Sequence, residues 1–287
     1  MHKLKYFLQF IIIIIFFSIF KILGLKYSRI ISGFIFSKLG PIIRSNKLAE
    51  KNLQKALVNF NQNKSKSFIK NMWINYGKIF AEYIFLKEFR FNSKFSEKIK
   101  VENIEILKNI KKNNEPVIFV SGHFNNFELM AMQLEKSGIE LAAIYRPLNN
   151  IFLNPIMEKI RRKYICKFQI KKGISGTKKL LKHFKNKKSI ALMIDQRVSE
   201  GIKSKFFDSD AYTTTIPAQF VRKFSTKIVP IYIERNADEN FILKIHDPME
   251  FDKKETVELI TLKLNKKLES MILKNPDQWI WTHNRWK

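Results

Sequence analysis

His123 and Glu128 are two side chains of this 287-residue sequence whose types and spacing could perform acid–base chemistry. A neutral imidazole, with a pKa of about 6.5, can take a proton from a substrate hydroxyl. A nearby carboxylate can hold the imidazole tautomer and stabilise the imidazolium that forms. Five residues along one continuous helix would point the two side chains about 140° apart. They can therefore meet only if His123 precedes a helix and Glu128 lies in its first turn.

The stretch around these residues predicts that strand–loop–helix geometry. Val117–Val120 is a short apolar run bounded by turn residues, which is typical of a buried strand, and Ser121 begins the turn that ends it. His123 then lies at the carboxyl end of the strand, where open α/β sheets place their ligands. Asn125 and Glu128 also fit a capping box, in which Glu128 bonds the backbone at the helix start and His123 has no catalytic role. Both interpretations stay open on spacing alone.

The elements around this stretch indicate an α/β fold, with a mainly parallel central sheet flanked by helices and a final antiparallel strand pair. The predicted strands are 117–120, 141–145, 190–194, 228–233 and 241–245, and the predicted helices are 45–60, 65–86, 127–136, 153–164, 176–184, 216–224 and 255–273. We expect three segments: a membrane anchor helix over 1–25, a helical layer over 26–95, and an α/β core over 96–287.

The anchor prediction depends on Tyr6–Leu25, which is mostly isoleucine and phenylalanine. A full membrane span needs about 20 apolar residues, so this run fits a short anchor or a helix lying partly in the interface. A signal peptide and a buried soluble helix are the alternatives. The run lacks a small-residue cleavage site, and its five consecutive isoleucines beside two phenylalanines would overfill an ordinary core.

The composition indicates an anionic partner, and the sequence lacks the motifs of several metal and cofactor sites. A formal net charge of +28 suits a membrane surface, a phosphorylated lipid, an acidic protein or a nucleic acid. The single cysteine, Cys166, excludes an internal disulfide and a multi-cysteine metal site. The sequence also lacks a zinc-binding H-E-x-x-H helix, a phosphate-binding P-loop, a G-x-S-x-G elbow and a dinucleotide-binding glycine motif.

Polar residues follow two further predicted strands. Arg146 comes directly after the strand over 141–145, and Asp195 and Gln196 follow the strand over 190–194. Because carboxyl ends of parallel strands meet at one edge of a sheet, these side chains are expected near His123. Each could instead be an ordinary solvated loop residue.

Several motifs occur in a fixed order along most of the chain: SGHFNNFE, YRP, ALMIDQ, TTTIPAQFVRK and the ending NPDQWIWTHNRWK. Together they resemble the bacterial lipid A biosynthesis acyltransferases, the lauroyl and myristoyl transferase group within the glycerolipid acyltransferase superfamily. The H-x4-E element is shared with glycerolipid acyltransferases generally, whereas the order of motifs and the tryptophan-rich ending are more specific. The sequence departs from the family pattern at Asn125 or Asn126 and at Asp208, where glycine is usual.

The resemblance implies a membrane-bound transferase of the bacterial inner membrane, with its catalytic domain on the cytoplasmic side. Such an enzyme moves a fatty acyl chain from acyl carrier protein to a hydroxyl of a phosphorylated lipid A precursor, without a covalent intermediate or a cofactor. His123 is then the general base and Glu128 its partner. The substrate-binding residues implied around them are Arg146, Arg161, Asp195 and Gln196.

Two alternatives remain at this stage. A related transferase could acylate another acceptor, such as a glycerophospholipid, an ornithine lipid or a glycolipid. The protein could also be a non-catalytic basic module that binds a membrane or nucleic acid. A binding patch alone would not need the histidine, the acids and Arg146 at neighbouring strand ends, so we expect no nucleic-acid partner.

Overall fold

The computed structural model describes residues 2–57 and 62–287, which form a seven-stranded sheet flanked by helices and a separate two-stranded hairpin. The strands are β1 (Ile99–Glu102), β2 (Ile118–Ser121), β3 (Leu141–Tyr145), β4 (Phe168–Lys171), β5 (Ser189–Met193), β6 (Ile202–Phe206), β7 (Ser209–Thr213), β8 (Ile228–Arg235) and β9 (Phe241–Ile245). The helices are α1 (His2–Ile43), α2 (Asn46–Ala56), α3 (Gln62–Glu82), α4 (Leu86–Phe91), α5 (Ser93–Ser96), α6 (Ile104–Asn113), α7 (Glu128–Lys136), α8 (Leu153–Ile160), α9 (Ile174–Lys185), α10 (Ile216–Phe224) and α11 (Val257–Ile272).

The sheet has the strand order β1-β9-β8-β2-β5-β3-β4. Strands β8, β2, β5, β3 and β4 run parallel, whereas β9 is antiparallel to β8 and parallel to β1. The predicted α/β class, with a mostly parallel sheet and an antiparallel final pair, is therefore confirmed. All four residues of β2 are buried, as a central strand covered by helices on both faces requires. The loops that follow β2, β5 and β3 leave the sheet at the same edge.

The bounds of β3, α10 and β9 agree with the prediction, and most other elements differ by a few residues at their ends. The predicted helix over 153–164 ends its α-helical part at Ile160 and continues as a π-helical turn, Arg161–Ile165. Strands β1, β4, β6 and β7 were not predicted, because charged and polar residues interrupt their apolar residues, as in IKVE and FQIK. Part of the predicted helix over 45–60, residues 58–60, lies outside the described residues.

Helix α1 packs along α3 through small residues. A Cβ added to Gly77 would lie 2.3 Å from the backbone carbonyl oxygen of Ser32, so only glycine allows this approach. The Ser32 hydroxyl donates to the Gly77 carbonyl oxygen at 2.7 Å. Helical geometry breaks at Gly24, where φ is 74° and ψ is 170°, but the helix continues to Ile43. The break falls one residue before the predicted end of the anchor segment.

Within the described residues, α1 is the one helix long and apolar enough to cross a membrane. Its most apolar 18-residue window has a mean hydropathy of 2.5, and 11% of that window is buried in the protein.

The C-terminal segment packs beneath the loop that joins β2 to α7. A short 3-10 turn, Pro276–Gln278, precedes Trp279 and Trp281, whose rings are buried in an edge-on arrangement with centroids 4.7 Å apart. The backbone N–H of Asn125 donates to the Gln278 carbonyl oxygen at 2.8 Å. The tryptophan-rich ending therefore belongs to the core and supports the loop that contains His123.

Candidate active site

The carboxyl edge of the sheet brings together His123 and Asp195. Each lies two residues beyond the end of its strand, and their strands, β2 and β5, are parallel neighbours. The Nδ1 atom of His123 lies 2.8 Å from Oδ1 of Asp195, and the His123 backbone N–H donates to Oδ2 at 2.7 Å. The indole N–H of Trp279 donates to the same Oδ2 at 2.9 Å. The Asp195 carboxylate is fully buried, and these three N–H groups are its hydrogen-bond partners.

This arrangement determines where neutral His123 carries its proton. An ionised carboxylate only accepts hydrogen bonds, so Asp195 places the proton on Nδ1 and leaves the lone pair on Nε2. No residue in the described part of the chain bonds Nε2, and the imidazole side chain is 20% exposed. The arrangement can therefore accept a proton from a hydroxyl that approaches Nε2.

The charges around His123 favour its protonated form. Burial alone lowers the pKa of His123, but the Asp195 carboxylate, with a smaller contribution from Glu128, outweighs burial and raises that pKa above its usual value. Burial likewise acts to raise the pKa of Asp195, and His123 together with the N–H donors brings it below its usual value. Asp195 is therefore ionised at neutral pH, and His123 is a stronger base than a free histidine.

The structure corrects the predicted partner of His123. Glu128, the first residue of α7, accepts hydrogen bonds on Oε1 from Nε and Nη2 of Arg161, at 2.9 and 2.6 Å. The hydroxyl of Tyr83 donates to the same oxygen at 3.2 Å. Within residues 2–57 and 62–287 no hydrogen bond joins Glu128 to His123, so Asp195 makes the orienting contact that was predicted for Glu128. The capping-box alternative also fails, because Glu128 bonds Arg161 rather than the backbone at the helix start.

Arg161 reaches Glu128 from the π-helical turn that follows α8. π-helical turns frequently occur at functional sites. The Arg161 guanidinium also lies over the Tyr145 ring, 5.7 Å from its centroid. Burial acts to lower the pKa of Arg161, and the Glu128 carboxylate outweighs burial and raises it. Arg161 and Glu128 thus form a charged, mutually neutralising pair beside the His123 loop.

The two remaining predicted site residues are less closely held. Arg146 follows β3 at the predicted edge of the sheet, and it is exposed. Gln196 is half-buried directly after Asp195. Neither side chain has a hydrogen bond or ion pair to the part of the chain that the structure describes. Their assignment to substrate binding stays a prediction.

Two residues that contact the acids were not recognised from the sequence. Trp279 bonds Asp195, and Tyr83 bonds Glu128. Trp279 belongs to the tryptophan-rich ending that the sequence had already singled out, but no local pattern shows which strand end it reaches. The sequence had placed Tyr83 only within the predicted helix over 65–86. In the structure it is buried in a 3-10 turn directly after α3, with its hydroxyl against Glu128.

The site contains side chains suited to proton transfer. Among the described residues, no three His, Cys, Asp or Glu side chains are grouped so that they could hold a metal ion. The edge of the sheet instead holds a histidine oriented by one buried acid and a second buried acid paired with an arginine. This combination suits activation of a hydroxyl group by a general base.

Comparison with known proteins gives one family and several relatives. The family model described as bacterial lipid A biosynthesis acyltransferase matches residues 1–287. The chain is 24% identical to lipid A biosynthesis acyltransferase 2 of Shigella flexneri over 66% of its own length and 60% of that protein. It is 25% identical to the lipid A biosynthesis acyltransferase of Haemophilus influenzae, over 89% of this chain and 81% of that protein.

One further relative is matched over little more than half of its length, and one solved structure aligns with a low TM-score. The chain is 22% identical to the lipid A biosynthesis myristoyltransferase of Escherichia coli over 66% of its length, and it spans 58% of that protein. Among solved structures, the 1-acyl-sn-glycerophosphate acyltransferase PlsC of Thermotoga maritima aligns with 88% of this chain and 99% of its own. That alignment has a TM-score of 0.40 and 15% sequence identity.

Proposed function

Because the chain belongs to the bacterial lipid A biosynthesis acyltransferase family, we propose that it moves a fatty acyl chain from an acyl carrier protein thioester to a hydroxyl of a phosphorylated lipid A precursor. Membership confirms the family and the acyltransferase class predicted from the sequence. The donor, the acceptor and the roles of individual residues are the proposal.

The proposal depends most on the contact between His123 and Asp195. With its Nδ1 proton directed at Asp195, His123 presents a basic Nε2 to the acceptor hydroxyl. As the proton moves to Nε2, the hydroxyl oxygen attacks the carbonyl carbon of the thioester and forms a tetrahedral intermediate. The carbon–sulfur bond then breaks, the ester product forms, and the departing thiolate takes the proton from the imidazolium. No covalent bond to the enzyme is needed.

The negative charge of the tetrahedral intermediate needs a hydrogen-bond donor, and we assign this role to Arg161, which bonds Glu128 at the start of α7. Backbone N–H groups at the start of α7 are one possible source of such a donor. The N–H groups of Phe127, Leu129 and Met130 already donate to nearby carbonyl oxygens at 3.0–3.1 Å. Arg161 bonds Glu128 through Nε and Nη2, so its Nη1 remains available to an oxyanion. In this arrangement Glu128 positions Arg161 and adds negative charge near His123.

Membrane association through α1 is part of the proposal. Apolar side chains of α1 remain exposed along much of its length, for example Ile12, Ile15 and Ile22 at 53%, 53% and 86%. An exposed apolar helix of this length suits insertion into a bilayer or its interface. We place the protein at the bacterial inner membrane, with the catalytic sheet on the cytoplasmic side.

The basic surface fits both proposed substrates. The net charge of +28 favours encounter with an acidic carrier protein and with the phosphates of the acceptor lipid. Arg146 is exposed at the same edge of the sheet as His123 and is a candidate phosphate contact, with Gln196 beside Asp195 as a further polar contact.

Transfer of a radiolabelled acyl chain by the detergent-solubilised protein tests the proposal. We expect His123→Ala to lower turnover by about 10²-fold or more while membrane association persists. His183→Ala is a matched control, because His183 is a partly buried histidine on α9, away from the site. Near-normal transfer by the His123→Ala variant would exclude His123 as the base.

The acceptor is tested separately with a panel of lipids and by mass spectrometry of outer-membrane lipid. Cells without the protein should lose one fatty acyl unit from lipid A. Transfer only to a glycerophospholipid, ornithine lipid or other glycolipid would support the catalytic site and overturn the proposed acceptor. Salt-sensitive DNA binding without transferase activity would overturn the enzymatic proposal as a whole.

A further inference from the structure

Two buried asparagines lie between His123 and Glu128, and both bond groups from distant parts of the chain. Asn125 and Asn126 are each 1% exposed, although they belong to a loop. Asn125 has a φ of 39°, in the left-handed region, so the loop turns sharply at this residue. This turn separates the direction of His123, toward Asp195, from the direction of Glu128, toward Arg161. What holds the asparagines therefore determines the geometry of the site.

Asn126 bonds a buried glutamate that is surrounded by arginines. Its side-chain N–H donates to Oε2 of Glu82 at 2.9 Å, and Glu82 is fully buried at the end of α3. The other oxygen, Oε1, lies 2.6 Å from Nε of Arg29 on α1 and 2.6 Å from Nη1 of Arg235 on β8. Arg235 in turn donates to the Asn125 side-chain oxygen at 3.0 Å. We call these five residues the Glu82 cluster.

The Glu82 cluster joins α1, α3, β8 and the His123 loop inside the protein. Burial acts to raise the pKa of Glu82, but Arg235 and Arg29 outweigh it and bring that pKa below its usual value, so Glu82 is charged. Buried ion clusters contribute little net stability, because removing charges from water offsets their mutual attraction. A role in holding one particular loop conformation gives a physical reason for such a cluster beside a catalytic histidine.

We propose that Glu82 is a positioning residue for the transferase site, because it holds Asn126 in the His123 loop. Through the Arg29 ion pair, the geometry of this loop then depends on the position of α1 against the rest of the protein. This inference rests on the proposed function for its kinetic tests only. It adds a route by which the apolar N-terminal helix influences catalysis without touching a substrate. The ion pair between Arg29 and Glu82 provides that route.

A reversal of hydrogen-bond direction tests the link between Glu82 and Asn126. Asn126→Asp places a carboxylate against Glu82 and breaks the contact. The double variant Glu82→Gln/Asn126→Asp restores it, because the glutamine N–H can donate to the new carboxylate, and the net charge equals that of the wild type. Asn265→Asp is the matched control. Asn265 is a fully buried asparagine on α11 that donates to the Lys205 carbonyl oxygen and to Thr213.

Kinetics and thermal unfolding distinguish positioning from a purely structural role. We expect Asn126→Asp to lower kcat by about 30-fold with KM for the donor changed less than about twofold, and the double variant to recover most of kcat. The Asn265→Asp control should lower the unfolding temperature without lowering kcat of the folded protein. A kcat that follows the unfolding temperature in all variants, or a stable double variant that stays inactive, would overturn the proposal.

A spectroscopic measurement tests the inference even if the proposed substrates are wrong. The protein is labelled with ¹³C-histidine in detergent micelles, and the His123 resonance is assigned with a His123→Gln variant. Asn126→Asp should shift this resonance and its pH midpoint, and the double variant should return both toward wild-type values. Arg29→Met, which removes the ion pair from α1 to Glu82 and also the Arg29 hydrogen bond to the Glu239 carbonyl oxygen, should shift the resonance in the same direction. An unchanged His123 resonance in these variants overturns the inference, whereas inactivity of the wild type on every lipid overturns only the proposed function.

Discussion

Replacing Asp195 by asparagine should remove most of the activity without removing the side chain. Three N–H donors surround the two oxygens of Asp195: His123 Nδ1 at Oδ1, and the His123 backbone and Trp279 at Oδ2. An asparagine has only one oxygen. If that oxygen replaces Oδ2, the new NH₂ group faces Nδ1, which must then lose its proton to Nε2. The imidazole would then lack the lone pair that accepts the substrate proton.

The opposite orientation of the asparagine costs more. It would keep the Nδ1 proton but place NH₂ against two buried N–H donors, and each lost hydrogen bond costs about 1–3 kcal/mol. Reaching the active tautomer should therefore cost about 4 kcal/mol, which corresponds to about a 10³-fold loss of kcat/KM. KM for the acyl donor should change little, because Asp195 is fully buried and contacts the imidazole rather than a substrate.

The pH dependence gives an independent measure of the same contact. Neutral His123 is the active form, and Asp195 raises its pKa, so wild-type activity should fall on the acid side with a midpoint above about 6.5. Removing the negative charge lowers that pKa, so the residual activity of Asp195→Asn should have its acid midpoint at lower pH. The assay is the initial rate of radiolabelled acyl transfer between pH 5 and about 9.

A buried carboxylate elsewhere provides the control for this variant. Glu269 on α11 is buried and accepts the backbone N–H of Phe207 at 2.8 Å, outside the candidate site. Glu269→Gln should therefore reduce stability without moving the acid midpoint. The reasoning is refuted if Asp195→Asn retains kcat/KM within about twofold of wild type, or if its acid midpoint stays in place or rises.

Three further substitutions test other parts of the structure. Arg161→Met should lower the free energy of unfolding by about 3 kcal/mol in urea titrations, because it leaves the Glu128 carboxylate buried without its partner. Adding Glu128→Gln should recover much of that loss. A loss below about 1 kcal/mol would contradict a buried pair. Gly77→Ala should destabilise the contact between α1 and α3 by about 2 kcal/mol, because the alanine Cβ would lie 2.3 Å from the Ser32 backbone oxygen. Protease should then cleave α1 faster than in the wild type. An unchanged cleavage rate would contradict this close approach. Asp208→Gly should raise the free energy of unfolding by about 0.5–1 kcal/mol, because Asp208 has a φ of 53° in the hairpin turn and its ion pair is exposed. A lower free energy of unfolding would show that the backbone strain at Asp208 is absent.

Local sequence patterns were sufficient to predict which segments near the site form strands, turns and helices. The buried β2 run, the turn after it and the helix over α7 were all predicted, because burial of an apolar strand and the apolar positions of a helix are properties of neighbouring residues. The hairpin of β6 and β7 was missed for a local reason as well. Its turn residues, Phe207 and Asp208, both have positive φ but carry none of the glycine that normally signals such a turn.

The sequence by itself determined that His123 lies at the carboxyl end of a buried strand, that polar residues follow neighbouring strands, and that the motifs resemble one enzyme family. Only the tertiary structure decided which acid orients the histidine. Asp195 is 72 residues from His123 and meets it because β2 and β5 are adjacent in the sheet, whereas Glu128, five residues away, bonds Arg161 instead. Strand order depends on packing across the whole sheet, so no spacing along the chain could have identified that partner.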